Sequence, residues 1–502
     1  MYAIMKEKRT VCCVMLLMGV VLSFAQPADR LAAIKSTIPM IDSAYRTFAG
    51  QRHSPGLAYA LVCDGNILHI GTLGYADVDK KIPVTEKSVF RMASMTKSFV
   101  AVAILQLRDA GKLRLDDPVW QYLPAFRKQP LPTDDAPTIT IRDLLTHTSG
   151  LPEDDPWGDR LLDMSTDTFY KLMEEGFAFS NTPGVGYEYS NTPFAMLGEI
   201  IRHVSGQSFD QYINEHILQP LNMRDTYWEY TEVPAPQLAK GYRWLNGAHV
   251  PEIMVRHGVY GAMGGMLSTL GDFAKYMAFH QQAWPARSGK DVQPLRRSSL
   301  REMQRPWVFN TLTAHNGNLT AFAYGYALKW TRDENQVTTV GHTGGLPGFG
   351  SNWIILPEYG FGLVCFSNTT YFPAADINTK VATEIVRRAG LSPWKKEVSE
   401  VLEQRRQTLL RYLPDWQEAE ENKADFSDNF FQDNVPSVLR AKSKAVFDEI
   451  GAVVKVHDIV AINNLRGTFL IEGERGRVEV FFALSPEPRP RIQQLSFKPV
   501  SD

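Results

Sequence analysis

Ser94-Met95-Thr96-Lys97, followed by the run Phe99-Val100-Ala101-Val102-Ala103-Ile104-Leu105-Gln106-Leu107, is the stretch from which the rest of this 502-residue chain is best read. The run is apolar almost all round rather than along one stripe, which predicts a helix buried on most sides. Ser94 then stands at the helix N-terminus, with Lys97 one turn on over the same face. A hydroxyl beside a desolvated amine, at the positive end of a helix dipole, is one way to build a nucleophile. The pattern Ser-x-x-Lys is short, and it recurs at Ser392-Pro393-Trp394-Lys395. There a proline follows the serine and no apolar run comes after, so that copy reads as a domain-boundary turn. The weight on Ser94 therefore comes from its surroundings.

Upstream, residues 28–48 have helical spacing. Two alternating runs, 57–63 and 67–75, flank Asp64-Gly65-Asn66, a strong hairpin signal. Downstream, residues 116–186 are rich in Pro, Asp and Thr, and Thr140-Ile141-Arg142-Asp143 forms a capping-box pattern opening Leu144-Leu145-Thr146-His147. Residues 194–204, 209–218 and 270–280 read as further helices. From Gln336 the period becomes that of strands, at 337–341, 351–356 and 360–368, and a helix over 375–389 follows. The expectation is an α+β domain whose antiparallel sheet unites both ends of the segment. Residues 394–421 are charged and helical. A second small α+β unit is expected beyond them, with a helix over 437–450 and strands at 453–459, 467–472, 477–484 and 491–497.

Composition narrows the function classes. The chain is 44% hydrophobic and 11% aromatic, enough to build cores, with a formal net charge of −2 and no dense basic run. Nucleic acid is a poor partner for such a chain. Lys6, Lys8 and Arg9 precede an apolar stretch over 11–24, and Ser23-Phe24-Ala25 places small residues at −3 and −1 before Gln26. The stretch is shorter than the ~20 residues of a spanning helix. It reads as a signal peptide cleaved after Ala25, making the protein exported, periplasmic or secreted, with no transmembrane anchor. Loss of the leader takes the 53 basic and 55 acidic side chains to 50 and 54. Cys12 and Cys13 leave with it. Cys63 and Cys365 each lie in a strand-like run, and read as small buried hydrophobes in preference to a disulfide. The histidines show no metal spacing, so neither a metal nor a cofactor is expected.

Two further elements accompany Ser94 in order. Tyr189-Ser190-Asn191 follows the loop Pro183-Gly184-Val185-Gly186, and His342-Thr343-Gly344-Gly345 ends a strand. A second Tyr-x-Asn match, Tyr212-Ile213-Asn214, falls within an amphipathic helix and reads as chance. With its flanks, notably Phe90-Arg91-Met92-Ala93 and the segments over 111–118, 141–152, 219–223 and 264–269, the ordered set resembles the penicillin-recognising serine hydrolases. The likeness is to the branch of class C β-lactamases, D-alanyl-D-alanine carboxypeptidases, D-aminopeptidases and esterases. It spans roughly residues 28–391.

The resemblance implies a β-lactamase/transpeptidase-like fold, an antiparallel sheet flanked by helices plus a mainly helical lobe. The domain boundaries are then leader 1–25, hydrolase domain 26–392, helical linker 393–424 and C-terminal α+β domain 425–502. It also implies roles. Ser94 attacks an acyl carbonyl; Lys97 accepts or relays its proton; Tyr189 acts as general base and acid, its phenolate favoured by the Lys97 charge. Asn191 orients Lys97 and the substrate, and the N–H groups of Ser94 and Gly345 form an oxyanion hole. Thr343 donates to a substrate polar group, often a carboxylate, and Gly344 and Gly345 keep side chains out of the substrate's path. His342 forms part of the site wall. His147 reads as structural, and His257 as a weaker candidate for the cleft.

One departure bears on substrate: a lysine in the strand motif would offer a fixed cation to a carboxylate, and neutral His342 does not. That weakens the case for a β-lactamase. The lead expectation is a hydrolase of esters, amides or D-amino-acid peptides acting on a small-molecule acyl substrate or peptide. The first alternative is an acyltransferase passing the acyl group to an alcohol or amine. The second is a β-lactamase or a non-catalytic peptidoglycan-binding protein. Oligomeric state is left open.

Overall fold

The structure is a computed structural model that describes residues 26–500 apart from 292, 316, 414 and 417–422. The leader read at 1–25 lies outside the described residues. The chain divides between Ser392 and Pro393 into two compact units.

The first unit opens with α1 (Gln26–Ser36) and α2 (Ile38–Gln51), where the spacing predicts one helix. The break falls at Thr37, whose Oγ1 donates to the Ile34 carbonyl at 2.7 Å, just before Pro39. Strands β1 (Gly56–Cys63), β2 (Asn66–Asp77) and β3 (Ile82–Pro83) follow. The helical lobe is carried by α3 (Thr96–Asp109), α4 (Ile141–Thr146), α5 (Thr192–Ser205) and α6 (Leu270–Gln281). The chain then returns to the sheet through β4 (Val308–His315), β5 (Asn318–Tyr324), β6 (Lys329–Asp333), β7 (Thr338–Leu346), β8 (Phe349–Leu356) and β9 (Phe361–Ser367), before α7 (Ala374–Arg388). The order is β3-β2-β1-β9-β8-β7-β6-β5-β4. Pairing of β1 with β9, from Leu57↔Ser367 to Cys63↔Phe361, joins the first hairpin to the last meander, as the α+β reading expects.

Both faces of the sheet are covered, so β1 is buried at all eight positions. Ala58, Ala60, Val62, Val340, Trp353 and Ile355 face the lobe with Phe99, Phe194 and Phe273. Leu57, Tyr59, Leu61, Leu356 and Leu363 face the terminal helices with Ile41, Tyr45 and Ile377. Cys63 and Cys365 are buried free thiols in this second layer, so the disulfide alternative does not hold.

Strands β4 to β6 precede the point where the strand period was expected to begin. They form one end of the sheet, and Phe309, Leu312 and Leu319 stay exposed, so the alternation that marks a half-buried strand is blurred. The sequence signal that does mark them is the dipeptide Asn-Gly at 316–317, a hairpin pattern, and His315 pairs with Asn318 across β4 and β5.

The second unit contains α8 (Glu400–Tyr412), α9 (Pro436–Ile450) and β10 (Val453–Val456), β11 (Val460–Asn463), β12 (Arg466–Gly473), β13 (Arg477–Leu484) and β14 (Ile492–Val500). The order is β10-β12-β13-β14, with β11 also on β12. Within 393–424, read as a helical linker, α8 contributes Leu402, Leu409 and Tyr412 to the same core as Phe447 and Phe482. No helix among the described residues is long and apolar enough to cross a membrane.

Candidate active site

The chain enters α3 through a single 3-10 turn, Ala93–Met95, and Ser94 sits on that turn, nearly buried. Ala93 has φ +52, a left-handed conformation that costs a residue with a Cβ about 1–2 kcal/mol. Strand β7 presses on the turn from outside. A Cβ on Gly344 would stand 2.2 Å from the Met92 carbonyl oxygen and 2.3 Å from Ser351 Oγ, which itself donates to that carbonyl at 2.7 Å. Gly344 is thus required by the packing of strand on turn, a different reason from the substrate clearance expected of it. A Cβ on Gly345 would meet the Tyr371 ring at 3.0 Å.

Lys97, one helical turn beyond, is fully buried. Its Nζ donates to Ser94 Oγ at 3.0 Å, Asn191 Oδ1 at 2.6 Å and the Met263 carbonyl at 3.0 Å, which uses all three ammonium donors. Burial pulls its pKa down to about 8, against the opposing charges of Asp155, Asp159 and Asp154.

Asn191 reaches Lys97 because its own position is held from a distant loop. Its backbone N–H donates to Asp154 Oδ1 at 2.6 Å and its Nδ2 to Asp155 Oδ1 at 2.8 Å. The other oxygen of Asp154 accepts from Thr192 N at 3.0 Å and Thr192 Oγ1 at 2.7 Å. One carboxylate therefore accepts from the N–H groups of Asn191, the residue before α5, and Thr192, its first residue, and so sets the position of Asn191. Nearby Asp159 is buried and accepts from Tyr371 OH at 2.9 Å; burial and the Asp155 charge push its carboxyl up to about 7.

Tyr189 lies with its ring centroid 5.0 Å from Lys97 Nζ. Burial holds its phenol well above the ordinary value, ahead of the Asp155 charge, and a hydrogen bond to Ser94 only partly opposes this. The resting group is a neutral phenol, and burial opposes the phenolate that the Lys97 charge is expected to favour.

His342 and His147 belong to one chain of hydrogen bonds. Ser190 N–H donates to His147 Nδ1 at 3.2 Å, which leaves the proton on Nε2, 3.2 Å from Tyr324 OH. Nδ1 of His342 lies 2.6 Å from the Thr343 carbonyl and must donate to it, so Nε2 accepts from Tyr324 OH at 2.8 Å. With both imidazoles neutral, each bond has one donor and one acceptor and the Tyr324 proton has an acceptor in His342 Nε2. Burial and, next, lysine charges hold both pKa values well below the ordinary histidine range. His257 lies elsewhere, packed by Phe209 and Trp228 with Nε2 3.7 Å from Glu229. Tyr212 packs on His216 and Asn214 accepts from Trp228 Nε1 at 3.1 Å, so the second Tyr-x-Asn match is structural.

Thr343 is half-buried on β7 and accepts at Oγ1 from Lys329 Nζ at 2.7 Å. Strand β6 pairs with β7 only from Thr338 to Gly341, so the β7 edge from His342 to Leu346 has no partner on that side. The structure thus brings Ser94, Lys97 and Asn191 into direct contact with Tyr189 alongside, and links His342 and Thr343 to them through other residues. Asp154, Asp155, Asp159, Tyr324 and Lys329 were not anticipated. The acids sit in a Pro- and Asp-rich loop where carboxylates are common, and Tyr324 and Lys329 belong to the strands that the period did not mark. Among the described residues no cluster of His, Cys, Asp and Glu is suited to a metal.

Comparisons with known proteins bear on the same span. A family model described as Beta-lactamase matches residues 41–386, which include β1 through β9 and every site residue above. Protein flp of Staphylococcus aureus (strain MW2) is 29% identical over 337 residues, 66% of this chain and 63% of that protein. Penicillin-binding protein 4* of Bacillus subtilis (strain 168) is 26% identical over 339 residues, 64% of this chain and 69% of that protein. The chain thus spans about 63% of the length of the flp relative. The octameric penicillin-binding protein homologue from Pyrococcus abyssi superimposes with a TM-score of 0.59 at 21% identity, over 93% of this chain and 96% of that one. A penicillin binding protein from Bacillus halodurans gives 0.55 at 25% identity, over 68% and 98%. Sheet, lobe and matched span coincide, and the chain belongs to the Beta-lactamase family.

Proposed function

We propose that this protein is an exported serine hydrolase that forms an acyl-enzyme on Ser94 and cleaves esters, amides or D-amino-acid peptides. The observation that carries the reading is Lys97, an amine buried among acceptors with Ser94 Oγ 3.0 Å from its nitrogen and its pKa drawn down to about 8. Loss of one proton from that ammonium leaves a lone pair able to take the hydroxyl proton of Ser94. Ser94 Oγ then bonds to the acyl carbon, and the N–H groups of Ser94 and Gly345 receive the developing oxyanion. Tyr189, a neutral phenol at rest, passes its proton to the departing alcohol or amine and is reprotonated through Lys97. Water repeats the sequence on the acyl-enzyme, releasing the acid and restoring Ser94. The unpaired β7 edge suits an extended acyl substrate laid beside it.

Incubation with a fluorophosphonate tests the reading directly. One adduct by intact mass, absent from Ser94→Ala, is expected; an adduct that persists in Ser94→Ala sinks the nucleophile assignment.

A further inference from the structure

His342 leaves β7 without a cation of its own, because its ring is buried, neutral and bonded to Tyr324 and the Thr343 carbonyl. The neighbouring strand supplies one. Lys329 opens β6 and stands opposite Gly341 in the register, two positions before Thr343. Its Nζ donates to Thr343 Oγ1 at 2.7 Å and lies 5.9 Å from the centroid of the Tyr189 ring. The ammonium therefore sits between the free strand edge and the phenol beside Ser94.

Its bonding contrasts with that of Lys97. All three donors of Lys97 are used inside the protein, whereas Lys329 is exposed, and Thr343 is the partner it has in the structure. The protein around it lowers its pKa by desolvation, the Asp155 charge opposes that, and no carboxylate of the described residues forms an ion pair with it. The Thr343 hydroxyl, in accepting from Lys329, keeps its own proton free to donate. One N–H of a cation and one O–H beside it are a matched pair for a carboxylate, which accepts at both oxygens. Beyond Lys329 and Thr343 opens a cavity of about 620 Å³ lined by Thr331, Thr339 and Asn352 and, among its charged side chains, by Asp333, Lys380 and Glu384. A substrate arm that reaches Lys329 has room to continue.

We propose that Lys329 and Thr343 form an anion subsite of this hydrolase, so that its preferred acyl substrates carry a carboxylate on the part that lies along β7. This rests on the acyl-enzyme reading of Ser94. Lys329 is here a specificity residue: it replaces, from the next strand, the cation that His342 cannot provide.

The test compares p-nitrophenyl half-esters of succinate, glutarate and adipate with their neutral carboxamide counterparts, on the full chain and on Lys329→Met and Lys329→Arg. For at least one chain length, the half-ester should exceed its carboxamide in kcat/KM by roughly 10- to 100-fold, the range of one charge-assisted bond. Lys329→Met should remove that preference through KM, change the carboxamide less than about threefold, and be largely rescued by Lys329→Arg. Equal loss on both substrate series through kcat would overturn the subsite and place Lys329 in the proton relay instead. Where no ester turns over, protection of Ser94 from fluorophosphonate is read with N-acetylglycine against N-acetylglycinamide. Protection by the acid alone, lost in Lys329→Met, supports the subsite; equal protection or none overturns it. Absence of any Ser94-dependent adduct in the unaltered protein counts against the acyl-enzyme, whereas a normal adduct without carboxylate preference counts against the subsite alone.

Discussion

Lys97 carries its charge in a place where water does not reach, and that determines how the site responds to pH. Its folded pKa is about 8 against 10.5 for the free side chain. Labelling of Ser94 by fluorophosphonate should accelerate roughly tenfold per pH unit up to about pH 8 and then level off. A flat profile across that range would remove Lys97 as proton acceptor. Linkage has the same sign: the unfolded chain holds this proton more tightly, so the contribution of Lys97 to stability rises between pH 8 and 10.5. The two buried histidines act in the other window. Their folded pKa values are depressed, so as pH falls below about 6.5 the unfolded chain gains protons that the folded one refuses, and stability drops. Tyr324→Phe leaves both Nε2 atoms without a partner and should cost about 1–3 kcal/mol per orphaned group. Urea titrations at pH 5.5 and 7.5 check both effects, and a variant as stable as the parent would contradict the tautomer assignment.

At the scale of elements, the site depends on two contacts between parts far apart in the chain. Asp154 caps α5 from a loop 38 residues before Thr192. Asp154→Ala should lose about 1–2 kcal/mol, the usual cost of a helix cap, and should slow Ser94 labelling because Asn191 loses its anchor. A loss of stability with labelling unchanged would separate the cap from the site. Gly344→Ala pushes a methyl into the Met92 carbonyl and should cost about 1–3 kcal/mol while lowering labelling as the turn shifts. Strand legibility follows burial. Strands β1, β8 and β9 are buried throughout and were readable as apolar runs, whereas β4 is exposed along most of its length, β5 and β6 are mixed, and none of the three was readable. The overlooked strands are the ones that bring Tyr324 and Lys329 to the site.

In the whole molecule, the first unit has a core on each face of its sheet and the second unit has a core of its own. Phe482 is fully buried in the second, and Phe482→Ala should destabilise that unit by about 3–5 kcal/mol. Ser94 labelling by fluorophosphonate should stay at the parental rate while calorimetry records the loss; a parallel fall in labelling would contradict the placing of every catalytic group in the first unit. What the sequence by itself determined is the local geometry: Ser94 and Lys97 three residues apart at a helix start, Asn191 at the start of another, and a sheet built from both ends of the segment. Those follow from helical and strand periods that hold wherever the elements go. Only the tertiary structure decided the protonation states and the charge facing a substrate. Burial lowers Lys97, keeps Tyr189 a phenol and both histidines neutral, and strand pairing sets Lys329 on Thr343. Such effects depend on neighbours that lie far off along the chain and become close only after folding, so no local pattern encodes them.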